Sequence, residues 1–298
     1  MICRCSGIVV RVGSRVRRFK PGDEVYARPA DGRIGAFAEF MAINEADVAI
    51  KPRALTMEEA ASIPLVGLTA WQALIERANL KQGQKVLIHA GSGGVGTFAI
   101  QLGKHVGATV ATTTSTANVD LVRSLGADIV IDYKKEDFAD VLRDYDVVLN
   151  SLDKVTLEKS LRVLKPGGQL ISISGPPDAA FARSIGASWL VTMIIGALSY
   201  RITAKAKRRH AHYSFLFMRA DGHQVDGRTF ANRRSAFFRR DQCKVDRQSQ
   251  RRAHEITVTN NCSTDSIPAA ALLVDHVDGL RDDGGDRASF GAASEEAL

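Results

Sequence analysis

The amino-acid sequence predicts an α/β protein in which a doubly wound parallel sheet follows part of a small β-barrel. Apolar strand-like runs alternate with helically spaced segments through the middle of the chain, which is typical of a parallel sheet with helices on both faces. A glycine-rich turn joins the first of these strands to the first helix. Short strand-like runs, separated by glycine and proline, precede this region and indicate the barrel.

The chain divides into three zones with different patterns. Residues 1–53 contain the runs SGIVVRVG, DEVYA, AFAEFMAI and DVAI between turn residues, and predict the partial barrel. Residues 54–224 contain six strands, enough for a doubly wound sheet: KVLIHA, ATVATTT, DIVIDY, YDVVLN, GQLISIS and YSFLFM. Residues 225–298 are rich in arginine and keep no regular period for long, so we expect an atypical tail that lacks regular structure.

Helical spacing of apolar residues marks the connections between the strands. It predicts helices over residues 98–106, 119–125, 138–143 and 157–164. Another segment, residues 184–200, has no charge over its 17 residues, fewer than the ~20 that a membrane span needs. We expect a buried helix or one that lines a cleft, and the alternative is a helix on a membrane surface.

Composition indicates a globular protein of about two domains. The chain has 298 residues, 45% of them hydrophobic and 24% charged, and domains average roughly 150 residues. The net charge of +7 favours anionic partners such as phosphates or acidic surfaces. The basic tail has few aromatic side chains and several acidic ones, so we expect no specific nucleic-acid binding.

The cysteines give no sign of a metal site. Cys3, Cys5, Cys243 and Cys262 form neither a CxxC pair nor a cluster with histidines. The sequence therefore predicts no zinc site, and a disulfide framework is not expected in so long a chain. The amino terminus lacks the long apolar core of a secretory signal, so we expect a cytoplasmic protein without a membrane span.

The glycine-rich turn is the clearest functional signal. Glycine permits positive φ and lets a ligand approach the backbone closely, and the amides that open the next helix then face a diphosphate. A preceding strand, a following helix and further βα units surround the turn, so it predicts a dinucleotide site. The alternative is a tight turn with a purely structural role. The residues concerned are Gly91, Ser92, Gly93, Gly94, Val95 and Gly96.

The end of the second strand favours NADPH over NADH. An NAD site usually ends this strand with an acidic residue that binds the ribose hydroxyls. Here the strand ends TTTSTAN, and no acidic residue occurs before Asp120. Ser115 can donate a hydrogen bond to a 2′-phosphate, which a carboxylate would repel. The alternative is that Ser115 only caps the next helix.

At this point the chain resembles a known family. The segments GSRVRRFKPGDEVYA, EEAASIPLVGLTAWQAL, VLIHAGSGGVGTFAIQLGK, LGADIVIDYKKEDF and LKPGGQLISISGPP follow the order seen in zinc-independent medium-chain dehydrogenases/reductases. The branch that they resemble contains NADPH-dependent quinone oxidoreductases and their mitochondrial reticulon-interacting relatives. The resemblance covers residues 6–224. It implies a Rossmann NADP-binding domain over residues 54–224 and an incomplete GroES-like catalytic domain over residues 1–53.

The resemblance also implies roles for single residues. The glycine turn matches the family's pyrophosphate turn, and Ser115 and Tyr133 match residues beside the 2′-phosphate. Thr69 matches a threonine near the nicotinamide, with other catalytic residues unknown. Where the family often has a lysine near that phosphate, this chain has Asn118. The resemblance places two further residues along the cofactor, Asn150 and Ser174. Ordinary packing at strand ends is the alternative for Tyr133 and Asn150.

The function implied by the resemblance is zinc-independent hydride transfer from NADPH to a quinone or another electron-poor acceptor. A quinone needs little acid catalysis, because its oxygens are already good electron sinks. The alternatives are a 2-alkenal or enoyl reductase, and a catalytically inactive NADPH-binding or structural protein. The histidines offer no credible catalytic partner by spacing, and we expect His89 to be structural. The resemblance further implies a homodimer through the nucleotide domain.

The chain departs from the family at both ends. The family carries more barrel residues before SGIVVRVG, and its last barrel strand is not recognisable after Gln224. We hypothesise a shift of reading frame near Gln224, with a second shift before Ser6 as a further alternative, and a genuinely divergent tail as another. The barrel is then expected to have unpaired strand edges.

Overall fold

The computed structural model describes residues 5–29, 38–219 and 255–260, all within one compact unit of the chain. Its strands are β1 (Cys5–Val12), β2 (Glu24–Ala27), β3 (Phe40–Asn44), β4 (Val48–Ile50), β5 (Lys85–Ile88), β6 (Thr109–Thr114), β7 (Ile129–Asp132), β8 (Tyr145–Asn150), β9 (Leu164–Ser172), β10 (His212–Phe215) and β11 (Glu255–Asn260). Its helices are α1 (Met57–Trp71) with a π-helical continuation over Gln72–Arg77, α2 (Gly94–Val106), α3 (Val119–Ser124), α4 (Phe138–Val141), α5 (Lys154–Ser160), α6 (Ala179–Ser184) and α7 (Trp189–Arg208). Short 3₁₀ turns cover Glu45–Asp47 and Thr116–Asn118.

Six strands form a parallel sheet in the order β10-β9-β8-β5-β6-β7. All six predicted strands are present, so the predicted doubly wound sheet is confirmed. The central strands are buried on both faces, as at Val86, Leu87 and Ile88, which explains their continuous apolar runs. The strand order reverses between β5 and β8, and the crevice at their carboxyl ends is where such sheets bind ligands.

The predicted helices are present with shifted ends. α2 begins at Gly94, because the glycine turn itself opens the helix. α5 begins at Lys154 rather than residue 157, since the carboxylate of Asp153 accepts a hydrogen bond from the amide of Thr156 and caps the helix. Leu164, placed in that helix by the sequence analysis, instead begins β9.

Five strands form an antiparallel sheet in the order β3-β11-β1-β2-β4. β11 comes from the tail that was expected to lack regular structure, so that expectation is wrong for Glu255–Asn260. This strand pairs with β1 on one side and β3 on the other. Unpaired strand edges were expected for the barrel. Among the described residues β1 is paired on both sides, whereas β3 and β4 are the outer strands and each has one partner. Other predictions for the tail lie outside the described residues.

α1 connects the two sheets and was not predicted by helical spacing. It begins with a capping box: the hydroxyl of Thr56 accepts from the amide of Glu59, and the carboxylate of Glu59 accepts from the amide of Thr56. One hydrophobic cluster holds Tyr26 of β2 together with residues of α1, β5 and α2. The Thr-x-x-Glu pattern was the available sequence signal for this helix.

α7 differs from the expected buried helix. Within it, only Ser199, Ile202 and Ala206 are buried, whereas Trp189 is 75% exposed and Tyr200 70% exposed. The absence of charge in residues 184–200 therefore does not reflect burial in this structure. Nor does any helix in the described part of the chain have the length and apolar character needed to cross a membrane.

Candidate nucleotide-binding site

The glycine-rich turn lies at the carboxyl end of β5, beside the sheet's switch point. The amide of Gly91 donates to the carbonyl oxygen of Thr113 (2.9 Å), and the amide of Gly93 donates to that of Ala90 (2.9 Å). Ala90 itself adopts a φ of +50°, which costs energy for a residue with a Cβ. The turn is thus held against β6 by its own backbone.

Two of the glycines are required by close packing. A Cβ on Gly91 would lie 2.0 Å from Oγ1 of Thr112, and a Cβ on Gly96 would lie 2.3 Å from the carbonyl oxygen of Ala90. At Gly93 and Gly94 the nearest atoms would be 3.2 Å and 3.1 Å away. The tight positions therefore bring β5, the turn and α2 together.

The amino end of α2 is left available for an anion. Gly93 caps the helix without a side-chain hydrogen bond, and the first turn of α2 contains no acidic residue. The first amides of a helix have no partner within the helix, and the helix dipole makes this end partly positive. The turn therefore fits the diphosphate of a dinucleotide on grounds of charge and hydrogen bonding.

Three consecutive threonines at the end of β6 hold the turn, and sequence reasoning missed them. The hydroxyl of Thr112 donates to the carbonyl oxygen of Ile88 (2.7 Å), the hydroxyl of Thr113 accepts from the amide of Ala90 (3.2 Å), and the hydroxyl of Thr114 donates to Oγ of Ser92 (3.1 Å). All three threonines are buried. In the sequence they form an unbroken polar run within a strand whose neighbouring strands are apolar.

His89 connects this turn to α5. Its Nδ1 lies 3.2 Å from Oγ1 of Thr113, and its Nε2 lies 2.9 Å from Oγ of Ser160. The hydroxyl of Ser160 donates to the carbonyl oxygen of Thr156 (2.7 Å), so it accepts from His89. Nε2 therefore carries the proton, and Nδ1 accepts from Thr113. His89 is 2% exposed, in line with its expected structural role.

Burial also fixes the charge of His89. Loss of hydration lowers the pKa of His89 to about 3, although the nearby carboxylate of Asp153 acts in the opposite direction. The imidazole is consequently neutral at physiological pH. A neutral ring suits the hydrogen-bond chain, because each of its nitrogens faces a hydroxyl of matching polarity.

Ser115 and Tyr133 come together at the ends of neighbouring strands. Thr114 of β6 and Asp132 of β7 are direct partners in the sheet, and the two residues follow them. Oγ of Ser115 accepts from Nδ2 of Asn118 (3.1 Å), and Ser115 makes no side-chain cap to the following 3₁₀ turn. The capping alternative for Ser115 is therefore not supported. Tyr133 is 53% exposed.

A carboxylate beside this pair was not singled out in the sequence. Asp132 is buried and accepts from the hydroxyl of Thr116 (2.6 Å) and the amide of Lys134 (3.1 Å). The hydrogen bond from Thr116 is the largest cause that lowers the pKa of Asp132, and Lys135, whose Nζ is 3.6 Å away, lowers it further. The carboxylate thus ties the ends of β6 and β7 together.

Asn150 and Ser174 meet at the ends of β8 and β9. Nδ2 of Asn150 lies 3.4 Å from Oγ of Ser174, whose hydroxyl donates to the carbonyl oxygen of Leu152 (2.5 Å). Asn150 is 0% exposed, yet its Oδ1 has no hydrogen-bond partner among the described residues. Buried oxygens are rarely left unpaired, so this atom fits a ligand that donates a hydrogen bond.

Thr69 lies on α1, close to the start of α2. It is three residues along the helix from Val66, whose Cγ1 would be 3.1 Å from a Cβ on Gly94. Its hydroxyl donates to the carbonyl oxygen of Leu65 (2.8 Å), which leaves the oxygen able to accept but not to donate.

Across the described ranges, His, Cys, Asp and Glu side chains nowhere form a group of three that could hold a metal ion.

Comparisons with known proteins agree with this architecture. The family model described as zinc-binding dehydrogenase matches residues 94–213. The 2-methylene-furan-3-one reductase of Solanum lycopersicum is 44% identical over 187 residues, with 59% of this chain and 47% of the relative covered. The mitochondrial NAD(P)H oxidoreductase RTN4IP1 of Bos taurus is 42% identical over 235 residues, with 74% of this chain and 58% of the relative covered.

A solved structure gives the same result. The quinone oxidoreductase from Coxiella burnetii is 32% identical, with a TM-score of 0.60 over 72% of this chain and 61% of that protein. The chain therefore spans about half to three fifths of the proteins that it matches. The parallel sheet, the turn and these matches together show that the chain has the fold of the medium-chain dehydrogenases/reductases, and that its sequence is similar to those of quinone and alkenal oxidoreductases.

Proposed function

We propose that this chain binds NADPH at the glycine turn and transfers a hydride to a quinone or another electron-poor acceptor, without zinc. The observation that carries the proposal is a helix amino end with no side-chain cap, placed at the switch point by glycines that packing requires. The chain covers 47% of the tomato reductase and 58% of the bovine oxidoreductase, so the activity is proposed for this chain rather than transferred to it.

The pyrophosphate contacts are assigned to the turn itself. The amides of Gly94, Val95 and Gly96 open α2, and an anion there gains both hydrogen bonds and the helix dipole. Gly93 and the hydroxyl of Ser92, which Thr114 orients, complete the cradle. Gly91 contributes by allowing the turn to pack against Thr112.

A preference for NADPH is supported by the charges near Ser115. β6 ends without an acidic residue, and Ser115 and Tyr133 follow paired strand ends. Lys134 and Lys135 add positive charge next to them. The carboxylate of Asp132 is committed to Thr116 and to the amide of Lys134, which leaves it less able to bind ribose hydroxyls.

The remaining site residues are assigned to the rest of the cofactor. The buried oxygen of Asn150 can accept from a cofactor amide or hydroxyl, with Ser174 beside it. The hydroxyl oxygen of Thr69 can accept near the nicotinamide. NADPH, when bound, supplies a hydride, and the reduced acceptor takes up a proton from water. Dimerisation through the nucleotide domain and a cytoplasmic location stay predictions.

An enone is the second acceptor class that the comparisons favour. The tomato relative is named a furanone reductase, and a relative from Arabidopsis thaliana, 41% identical, is named an NADPH-dependent alkenal/one oxidoreductase. Quinones and conjugated enones share an electron-poor carbon that can accept a hydride. Parallel turnover assays with a simple benzoquinone and a 2-alkenal separate the two classes. NADPH binding without turnover of either would support the inactive alternative.

A glycine pair tests the site directly. We expect Gly91→Ala to abolish saturable NADPH binding, because its Cβ would collide with Thr112. Gly196→Ala in α7 is the matched control, since its Cβ would meet the nearest atom at 3.5 Å, an ordinary contact. NADPH binding is followed by nucleotide fluorescence, and folding by circular dichroism. A folded Gly91→Ala variant with unchanged affinity would refute the assignment of the turn.

A further inference from the structure

The first half of α7 leaves large apolar side chains in solvent. The buried residues of α7 begin only at Ser199, in the second half of the helix. A contiguous group of exposed apolar side chains on one element marks an interaction surface. The members that are more than half exposed are Trp189, Leu190, Met193, Ile194, Leu198 and Tyr200.

The solvent-facing side of α7 becomes cationic toward its carboxyl end. Residues spaced by seven lie on nearly the same side of a helix, and Ile194, Arg201 and Arg208 have this spacing. Tyr200 and Lys207 repeat it. The helix contains no aspartate or glutamate, and Arg201, Lys207 and Arg208 are all exposed. The α7 strip is defined as Trp189, Met193, Ile194, Tyr200, Arg201, Lys207 and Arg208.

The opposite side of the helix fixes this strip to the parallel sheet. Ile202 and Ala206 belong to the hydrophobic cluster under α4 and α5. Nζ of Lys205 lies 2.6 Å from a carboxylate oxygen of Glu158 on α5. The second half of α7 is therefore packed against the parallel sheet, and the first half continues the same helix with its apolar residues in solvent.

We propose that the α7 strip is a docking surface for a bilayer that contains anionic phospholipids. Apolar side chains with tryptophan and tyrosine partition into the interface between headgroups and acyl chains. Arginine and lysine next to them attract the anionic headgroups. The strip combines both features on one side of one helix and has no acidic residue to oppose them.

A second copy of the chain suits the strip less well. A parallel pair of α7 helices would set cations against cations, and an antiparallel pair along the full helix would set cations against apolar side chains. The chain's net charge of +7 adds repulsion between copies. An anionic lipid surface satisfies both halves of the strip at once.

Vesicle binding by the full chain tests the proposal. We expect cosedimentation with vesicles of phosphatidylcholine and phosphatidylglycerol, weaker binding to phosphatidylcholine alone, and loss of binding as salt rises. The chain has two tryptophans. Brominated lipids should quench the emission of Trp189, and a Trp189→Ser variant should lose the quenched component, leaving Trp71 as the reference.

Charge variants with controls sharpen the test. The triple variant Arg201→Gln, Lys207→Gln, Arg208→Gln should bind anionic vesicles about 100-fold more weakly, from the usual contribution of a basic residue near such a surface. Ile194→Ser should also weaken binding. The controls are Arg123→Gln on α3 and Val155→Ser on α5, both exposed and outside the strip, and neither should change it.

The proposal is overturned by any of three results. The first is that anionic vesicles do not sediment the folded chain. The second is that the triple variant and the Arg123→Gln control bind equally. The third is that sedimentation velocity shows a dimer which Ile194→Ser dissociates, since a second copy would then cover the strip. NADPH binding is measured on the same samples and is independent of these outcomes.

Discussion

The two sheets of this chain are assembled in different ways. The parallel sheet takes its strands from one continuous stretch, β5 to β10, and its central strands are buried between helices. The antiparallel sheet takes four strands from the amino end. Its fifth strand, β11, lies between β3 and β1 and comes from residues that follow β10 by about forty positions. The strands of the parallel sheet are joined by short connections, whereas β11 joins its sheet only when a long loop is closed, which costs more conformational entropy. The nucleotide half is thus self-contained, and the barrel half depends on the tail.

The largest expected effect separates the two sheets. Thr257→Pro removes a backbone N–H from β11, which is paired with β1 and β3. A carbonyl oxygen of the neighbouring strand then loses its hydrogen bond, which lowers the free energy of unfolding by about 1–3 kcal/mol. We expect hydrogen exchange of β1 and β3 amides to accelerate strongly while β5 and β6 amides stay protected. Thr257→Ala keeps the N–H and is the control. Equal loss of protection in both sheets would mean that the nucleotide half is not self-contained.

One pH effect should arise from the parallel sheet, at His89. The pKa of His89 falls from 6.5 to about 3 on burial, so the unfolded chain binds the extra proton as the pH drops below 6.5. Its contribution to stability is therefore complete above that pH and is lost toward pH 3, with a slope of at most about 1.4 kcal/mol per pH unit.

Urea unfolding between pH 6.5 and 4 measures this slope. We expect His89→Gln to flatten it, since glutamine does not titrate. The exposed variant Val155→Ser on α5 changes no titratable group and should leave the slope unchanged. An unaltered slope in His89→Gln would show that other groups cause the pH dependence.

The smallest effect is expected when a surface ion pair on the parallel sheet is removed. Nζ of Lys104 lies 2.7 Å and 2.8 Å from the two carboxylate oxygens of Asp128, and both side chains are about one third exposed. Such pairs contribute about 0.2–1 kcal/mol, so Lys104→Met should lower the free energy of unfolding by no more than that. In a looser and more exposed pair, Nη1 of Arg123 lies 3.9 Å from a carboxylate oxygen of Asp120. Arg123→Gln removes this pair and should change the free energy of unfolding less. A larger loss in Lys104→Met would indicate a packing role for the lysine stem.

Local patterns were predictable, and tertiary outcomes were not. The six strands and the glycine turn were predicted because burial on both faces and the need for glycine act over a few residues, as at Gly91. The capping box of Thr56 and Glu59 is equally local but was overlooked. The exposure of Trp189 could not be predicted, since an apolar helix looks the same whether or not something covers it. β11 was not predicted, because its six residues of alternating polar and apolar character lie within an arginine-rich segment.

In the candidate site, too, single residues were predictable from local motifs, but their contacts were not. Ser115 and Tyr133 were named from separate motifs, and the pairing of β6 with β7 brings them together. The roles of Thr112, Thr113 and Thr114 depend on which strand lies next to the turn, which a single sequence does not state. The unpaired oxygen of Asn150 likewise exists only in the folded chain.

The most direct test of the proposed site is a parallel fluorescence titration of the full chain and of Ser115→Ala with NADPH and NADH. We expect the full chain to bind NADPH more tightly. Ser115→Ala should weaken NADPH binding by roughly tenfold or more, the usual value of a hydrogen bond to a charged group, and leave NADH binding unchanged. Equal affinities for the two nucleotides, or an equal loss for both in Ser115→Ala, would contradict the assignment of the 2′-phosphate to Ser115.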